Sequence, residues 1–227
     1  MEMTAADKKI ISSILAKTDK DPEIGSLKTI SFPELYKYLG KEEISLIKNF
    51  LKINPHAYGF KGKFLGMAGV PRNLVVIKNQ TYTFRRKQKT IGEQCLPKSV
   101  YEAYGKLNQA LRRETGRTLL ISFGYRSPAY QVITFFYYLK FYGFNFKKTA
   151  KRVAFPGYSE HGAPRWPAID FVTMKGMPSD KNPLDFVSTE EYRWLLKNAH
   201  RFGFYLSYPK NNKDGIMYEP WHWRFEK

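Results

Sequence analysis

The chain reads as an α+β protein, a small antiparallel sheet flanked by helices and preceded by a helical N-terminal extension. Three features predict it. Helix-start signals, a Ser three residues ahead of a Glu, recur at Ser31/Glu34, Ser99/Glu102 and Ser188/Glu191. Short β-rich runs bounded by turn residues stand at 73–77, 81–85, 118–123, 204–208 and 216–225. With 227 residues, 43% of them hydrophobic and 16% aromatic, the chain can bury a core without disulfides.

Residues 7–53 read as helical, with Ser31 and Glu34 as a capping box, Gly40 as a stop, and Ile44, Ile47 and Leu51 at helical spacing. No chemistry is evident there. Glycines at 59, 62, 66 and 69 mark an irregular connection over 57–71, which separates a first region, 1–71, from a second, 72–227. His56 falls in an Asn54-Pro55-His56 turn and is taken as structural. The runs 73–77 and 81–85 flank Lys78-Asn79-Gln80 and are expected to form one hairpin.

Ser99 opens the clearest helix, with Val100, Tyr104, Leu107 and Leu111 on one face and Gly116 just past its end. A buried strand at 118–123 follows, and its exit carries Arg126. Pro128 suits the first turn of a helix running to about Tyr142. Within it, Phe135-Phe136-Tyr137-Tyr138 is apolar all round, which implies burial on more than one side.

Ser188 and Glu191 open the next helix, with Tyr192, Leu195, Leu196 and Ala199 inward and Gly203 at its end. His200 near that end is accounted for by the helix dipole. Strands at 204–208 and 216–225 are joined by a turn at 209–215. Glu219 and His222 are three apart, so strict alternation would send them to opposite faces. Pro220 cannot donate to a sheet ladder, and a local kink is expected to bring both side chains to one side.

The chemistry concentrates in two stretches, Tyr158-Ser159-Glu160-His161-Gly162-Ala163-Pro164-Arg165-Trp166-Pro167-Ala168-Ile169-Asp170 and Glu219-Pro220-Trp221-His222-Trp223. They offer His161, Asp170 and His222 as metal ligands, with Glu219 spare. Structural zinc is closed by four ligands, usually with thiolates, whereas catalytic zinc keeps three and an open position. Cys95 is the sole cysteine, so a thiolate-rich structural site is excluded, as is a disulfide framework. A catalytic zinc lowers the pKa of water from about 15.7 to roughly 7, and a non-ligating carboxylate such as Glu219 can move the proton to the leaving amine. Each residue alone has a plainer reading: a satisfied histidine, an N-capping or ion-paired aspartate, an aromatic core around His222. Their joint occurrence points to a hydrolytic site.

Ser159-x-His161, Ala168-x-Asp170 and Glu219-Pro220-Trp221-His222 resemble the signature of the VanY-type D-alanyl-D-alanine carboxypeptidases, zinc peptidases related to lysostaphin and to the hedgehog N-terminal domain. Gly124-Tyr125-Arg126-Ser127 with Gln131, and the strand Leu74-Val75-Val76-Ile77, extend the resemblance over about residues 72–227. It implies a hedgehog/DD-peptidase-like domain with one Zn2+ per chain on His161, Asp170 and His222, and Glu219 as catalytic base. It also implies that Arg126 and Gln131 hold the peptide with help from Ser159; Trp221 is placed with these substrate contacts. Arg126 either anchors a terminal carboxylate through two parallel hydrogen bonds or stabilises the oxyanion.

One departure stands out. The family usually has seven positions from the first His to the Asp, and here the step from 161 to 170 is nine. The two extra residues, around Pro164-Arg165-Trp166-Pro167, are expected to bulge outward beside the substrate cleft and leave the ligands in place. The implied activity is removal of a terminal D-alanine from peptidoglycan stem peptides. An endopeptidase of the same fold and a non-catalytic zinc-containing binding module are the alternatives. The spare Glu219 argues against the last, since a purely structural ion needs no base.

A net charge of +18 raises nucleic-acid binding as a rival. The basic residues are scattered apart from Arg85-Arg86-Lys87-Gln88-Lys89 and the Lys147-Lys148, Lys151-Arg152 group, and neither fits a nucleic-acid-binding motif. Nucleic acid is therefore not expected as a partner. A basic surface would instead be solvated, or steer the protein towards an anionic wall polymer. The first nine residues lack the apolar core of a signal peptide, and no run is long enough to span a membrane. The expected location is the periplasm or cell envelope, with an export signal outside this sequence, or otherwise the cytoplasm; the expected state is a monomer.

Overall fold

The computed structural model describes residues 3–20, 28–178 and 182–226. Residues 21–27 of the expected helical run, and the first two of the chain, lie outside the described residues. In chain order the elements are α1 (Ala5–Lys20), α2 (Phe32–Tyr36), α3 (Lys41–Phe50), β1 (Leu74–Ile77), β2 (Gln80–Phe84), β3 (Lys87–Ile91), β4 (Gln94–Pro97), α4 (Lys98–Thr115), β5 (Leu119–Phe123), α5 (Pro128–Phe141), α6 (Phe146–Ala150), β6 (Ala168–Thr173), α7 (Glu190–Asn198), β7 (Phe204–Leu206) and β8 (His222–Phe225). They form two compact units interleaved along the sequence: Met1–Val70 with Arg126–Ala163 and Asn211–Met217, and Pro71–Tyr125 with Pro164–Lys210 and Tyr218–Lys227. No helix among the described residues is long and apolar enough to cross a membrane.

The first unit is helical and packs around aromatic rings. Phe50 of α3 meets Phe135 and Phe136 of α5 at centroid distances of 5.0 and 4.9 Å, and Phe135 meets Phe155 at 4.3 Å. The Ser31/Glu34 capping box forms, the Glu34 carboxylate accepting from the Ser31 N–H at 2.7 Å. Gly40 does not stop a helix but caps the start of α3, its N–H donating to the Glu43 carboxylate at 2.7 Å. Pro128 opens α5, as the sequence implies, and Ser127 caps it. α5 is buried on more than one side, as its apolar run implies, but not all round: Phe135 and Phe136 are buried while Tyr137 is 58% exposed. Four consecutive residues sweep the whole helix circumference, so a helix with a wet side must expose one of them.

The second unit is built on a four-stranded antiparallel sheet in the order β5-β6-β8-β7. β6 is central and all six of its residues are buried. Leu107 and Leu111 of α4, Leu195 of α7, and Phe171 and Phe204 of the sheet share one core. The single hairpin expected over 73–85 is replaced by two nested pairs: β1 with β4, and β2 with β3. The tight turn falls instead at Arg85-Arg86, both at positive φ (50° and 62°), the conformation that a type I′ hairpin turn requires and that Asn-Gly usually fills. Turn chemistry therefore pointed away from the site the chain uses.

Two capping boxes are also displaced. α4 begins at Lys98 behind Pro97, so Ser99 is already inside the first turn and no side-chain cap bond forms. α7 is capped by Thr189, whose hydroxyl oxygen accepts from the Tyr192 N–H at 3.1 Å, because Ser188 closes a preceding 3-10 turn. Gly116 ends α4 as expected, at φ 70°; α7 ends at Asn198, and Gly203, at φ 82°, closes the 3-10 turn Ala199–Phe202 that follows it. Leu196, expected inward, is 53% exposed, and Trp194 takes the inward position with its indole N–H on Glu114 at 2.8 Å. The last two strands are shorter than expected, since the chain enters the sheet only at His222.

Candidate active site

Sheet register brings the first two groups together. Asp170 and His222 are Cα partners on β6 and β8. Directly opposed residues of an antiparallel pair point to the same face. His222 Nδ1 accordingly lies 2.7 Å from Asp170 Oδ1, with both residues buried. The Ser122 hydroxyl donates to the Asp170 carbonyl at 3.0 Å, where the β5–β6 register shifts between Ile121 and Phe123.

Glu219-Pro220-Trp221-His222 forms a turn in which the His222 N–H donates to the Glu219 carbonyl at 3.1 Å. Proline suits the second position of such a turn: its φ is preset, and its missing N–H is not needed there. This turn is the kink that strand parity demands. It places Glu219 Oε2 4.0 Å from His222 Nδ1, with Glu219 7% exposed. Both ends of the turn hang on the segment that continues β7. The Glu219 N–H donates to the Tyr208 carbonyl at 3.1 Å, and the Ser207 N–H to the His222 carbonyl at 3.3 Å. The Tyr208 ring stacks on the His222 imidazole at 4.9 Å and 30°.

His161 sits on a 3-10 turn, Glu160–Gly162. Its carbonyl accepts from the Arg126 N–H at 3.1 Å. The next residue has to be glycine, because a Cβ at 162 would lie 2.5 Å from the Arg126 carbonyl oxygen. His161, Asp170 and His222 each offer one ligand atom, and these atoms all lie within 4.8 Å of one another. Two imidazoles and a carboxylate, all buried and without a thiolate, fit a divalent cation held by three protein ligands.

The remaining sequence-predicted residues are placed differently. Arg126 meets His161 through its backbone. Ser159 precedes the 3-10 turn, half-buried, and its side chain makes no cap bond. Gln131 is 2% exposed inside α5, its amide donating to the Ala154 carbonyl at 2.6 Å. Trp221 is 7% exposed and belongs to the core of the second unit. Gly124 approaches the backbone closely: a Cβ there would lie 2.3 Å from the Cys95 carbonyl oxygen, which also accepts the Tyr125 N–H at 2.6 Å. Burial pushes the Tyr125 phenol up to about 12. Tyr208 and Ser122 were not found from sequence. Tyr208 reads there as a strand end before Pro209, and the only available signal was that its strand precedes the one entering Glu219-Pro220-Trp221-His222.

The family model of VanY, D-alanyl-D-alanine carboxypeptidase, matches residues 93–227. YodJ of Bacillus subtilis (strain 168), provisionally named a carboxypeptidase, is 30% identical over 202 residues, covering 88% of this chain and 68% of that protein. The bifunctional D-Ala-D-Ala dipeptidase and D-Ala-D-Ala carboxypeptidase VanXYC of Enterococcus gallinarum is 28% identical over 162 residues, 67% of this chain and 83% of that one. Among solved structures, the LdcB LD-carboxypeptidase, described in terms of peptidoglycan recognition, has a TM-score of 0.53 at 29% identity and covers 68% of each chain.

Proposed function

Since the chain belongs to the VanY family of D-alanyl-D-alanine carboxypeptidases, we propose that it is a zinc-dependent peptidase that removes the terminal D-alanine from peptidoglycan stem peptides. The observation that carries this reading is the convergence of His161, Asp170 and His222, with ligand atoms within 4.8 Å of one another, beside a buried carboxylate outside that group. When bound there, zinc supplies Lewis acidity at the scissile carbonyl and lowers the pKa of a water to roughly 7.

The protein's own groups do the rest. Glu219, 4.0 Å from His222 Nδ1, accepts the proton of the attacking water and returns it to the leaving D-alanine amine. Arg126 receives the terminal carboxylate through paired hydrogen bonds, and Ser159, which precedes the His161 turn, helps to hold the peptide. Gln131 holds Ala154 and so fixes the segment leading to that turn. Trp221, the third residue of the turn over 219–222, packs into the core of the second unit. All of these groups fall within residues 72–227, the proposed catalytic domain, which acts as a monomer in the cell envelope, where stem peptides are found.

A second reading has its own support, the likeness to an LD-carboxypeptidase. It would remove the terminal D-alanine from a tetrapeptide, cutting between an L and a D residue. One experiment separates the readings: incubate zinc-loaded protein with pentapeptide, tetrapeptide and cross-linked muropeptides and read the product masses. Loss of one alanine from the pentapeptide supports the proposal. Loss from the tetrapeptide instead supports the second reading, and separated stems mean an endopeptidase. Stoichiometric zinc with no cleavage of any of them overturns the enzymatic reading.

A further inference from the structure

We propose that Tyr208 is a positioning residue for the catalytic turn, acting through its ring and its backbone; this rests on the reading of His222 as a zinc ligand and Glu219 as the base. Three contacts converge on the dipeptide Ser207-Tyr208. The Tyr208 carbonyl accepts the N–H of Glu219 at 3.1 Å, which fixes the start of the turn. The Ser207 N–H donates to the carbonyl of His222 at 3.3 Å, which fixes its end. The Tyr208 ring lies on the imidazole of His222 at 4.9 Å and 30°, and Tyr208 is 7% exposed.

The physical consequence concerns the orientation of the imidazole. Rotation of a histidine ring about its last torsion is broad and has no sharp staggered minimum. A hydrogen bond from one ring atom fixes a direction but leaves the ring plane free to tilt. In this site the bond to Asp170 Oδ1, 2.7 Å, sets the direction in which Nδ1 points. The stacked phenol ring sets the plane. Together they hold the imidazole in one pose, on the same turn that carries Glu219. Partners of this kind, lying behind the ligands, commonly change metal affinity by about 10–100-fold when removed.

Stacking is a property of the ring face, so phenylalanine should replace tyrosine and an aliphatic residue should not. The test uses the full chain with Tyr208→Phe and Tyr208→Leu, and Phe204→Leu as a control for loss of a buried aromatic in the core of the second unit. Three quantities are measured: zinc affinity by chelator competition, kcat and KM separately, and the chemical shifts of the carbon-bound His222 ring protons in metal-free protein. For Tyr208→Leu we expect zinc affinity to fall by about 10-fold or more, kcat to fall with KM unchanged, and the ring-current shift on His222 to disappear. Tyr208→Phe should keep all three near wild type. Phe204→Leu should lower thermal stability without moving any of them.

Equal loss in Tyr208→Phe and Tyr208→Leu would overturn the proposal in favour of the hydroxyl. A wild-type zinc affinity and ring shift in Tyr208→Leu would overturn it outright. The ring-shift measurement needs no metal, so failure of the zinc reading is recognised separately: wild-type protein that binds no zinc, yet loses the shift in Tyr208→Leu, refutes the metal assignment while the positioning role stands.

Discussion

The two imidazoles of the site are held in different ways. His222 stands in a sheet, with β6 on one side and β7 on the other. Its N–H and carbonyl are both bonded, its Nδ1 meets Asp170 and its ring is covered by Tyr208. His161 stands on a three-residue 3-10 turn whose carbonyl accepts from Arg126 and whose next residue has no room for a side chain. One histidine is thus set by strand register, where a slip of one residue would turn every side chain to the other face. The other is set by a local fit at a glycine. The step of nine from His161 to Asp170 falls between these two devices. Residues 164–166 are bent and exposed, and the sheet takes over at Pro167, whose carbonyl accepts the Phe225 N–H at 2.9 Å. Register with β8 then fixes the face on which Asp170 stands.

The largest expected effect is on the strand side. Glu219→Gln should keep stoichiometric zinc and lower kcat by about 10²–10⁴-fold, the usual contribution of a general base. Turnover near wild type would remove Glu219 from that role. Next come the ligands themselves: His161→Ala and His222→Ala should each abolish stoichiometric zinc, read by metal analysis of the purified proteins. The comparison between the two predicts a further difference in metal-free protein. His222→Ala strips a hydrogen-bond partner from the buried carboxylate of Asp170, which should cost about 1–3 kcal/mol in denaturant unfolding. His161→Ala should cost less. Equal losses would mean that the two histidines are embedded alike.

The same contrast marks what could be read in the sequence. The convergence of His161, Asp170 and His222 was legible because two imidazoles and a carboxylate in that combination suggest a shared ion, and the nearness of Glu219 because its odd spacing from His222, with Pro220 between them, required a kink. The helix end at Gly116 was legible because a left-handed residue there favours glycine. The hairpin was misplaced because the turn is made by Arg85-Arg86, residues with no local preference for that conformation. Ser99 and Ser188 carried the right spacing, but Pro97 and Thr189 start the helices one or two residues away. Tyr208 was hidden for a deeper reason: its partner is chosen by the pairing of two strands, which no local pattern encodes.

Smaller effects sharpen the comparison between fit and register. Gly162→Ala places a methyl group 2.5 Å from the Arg126 carbonyl, so the turn or the strand exit must give way. Overpacking of this kind costs about 1–3 kcal/mol, and because the displaced element carries His161, zinc affinity should fall with stability. Ser122→Ala is the counterpart on the sheet side and the smallest effect expected. It removes a 3.0 Å hydrogen bond to the carbonyl of Asp170, worth about 1 kcal/mol. Yet the pairing of Asp170 with His222 is set by β6 and β8, which the change leaves intact. Stability should therefore drop slightly in thermal unfolding while zinc affinity stays at the wild-type value. A fall in zinc affinity in Ser122→Ala would show that Asp170 depends on side-chain support at the β5 irregularity, and that strand register alone does not hold this half of the site.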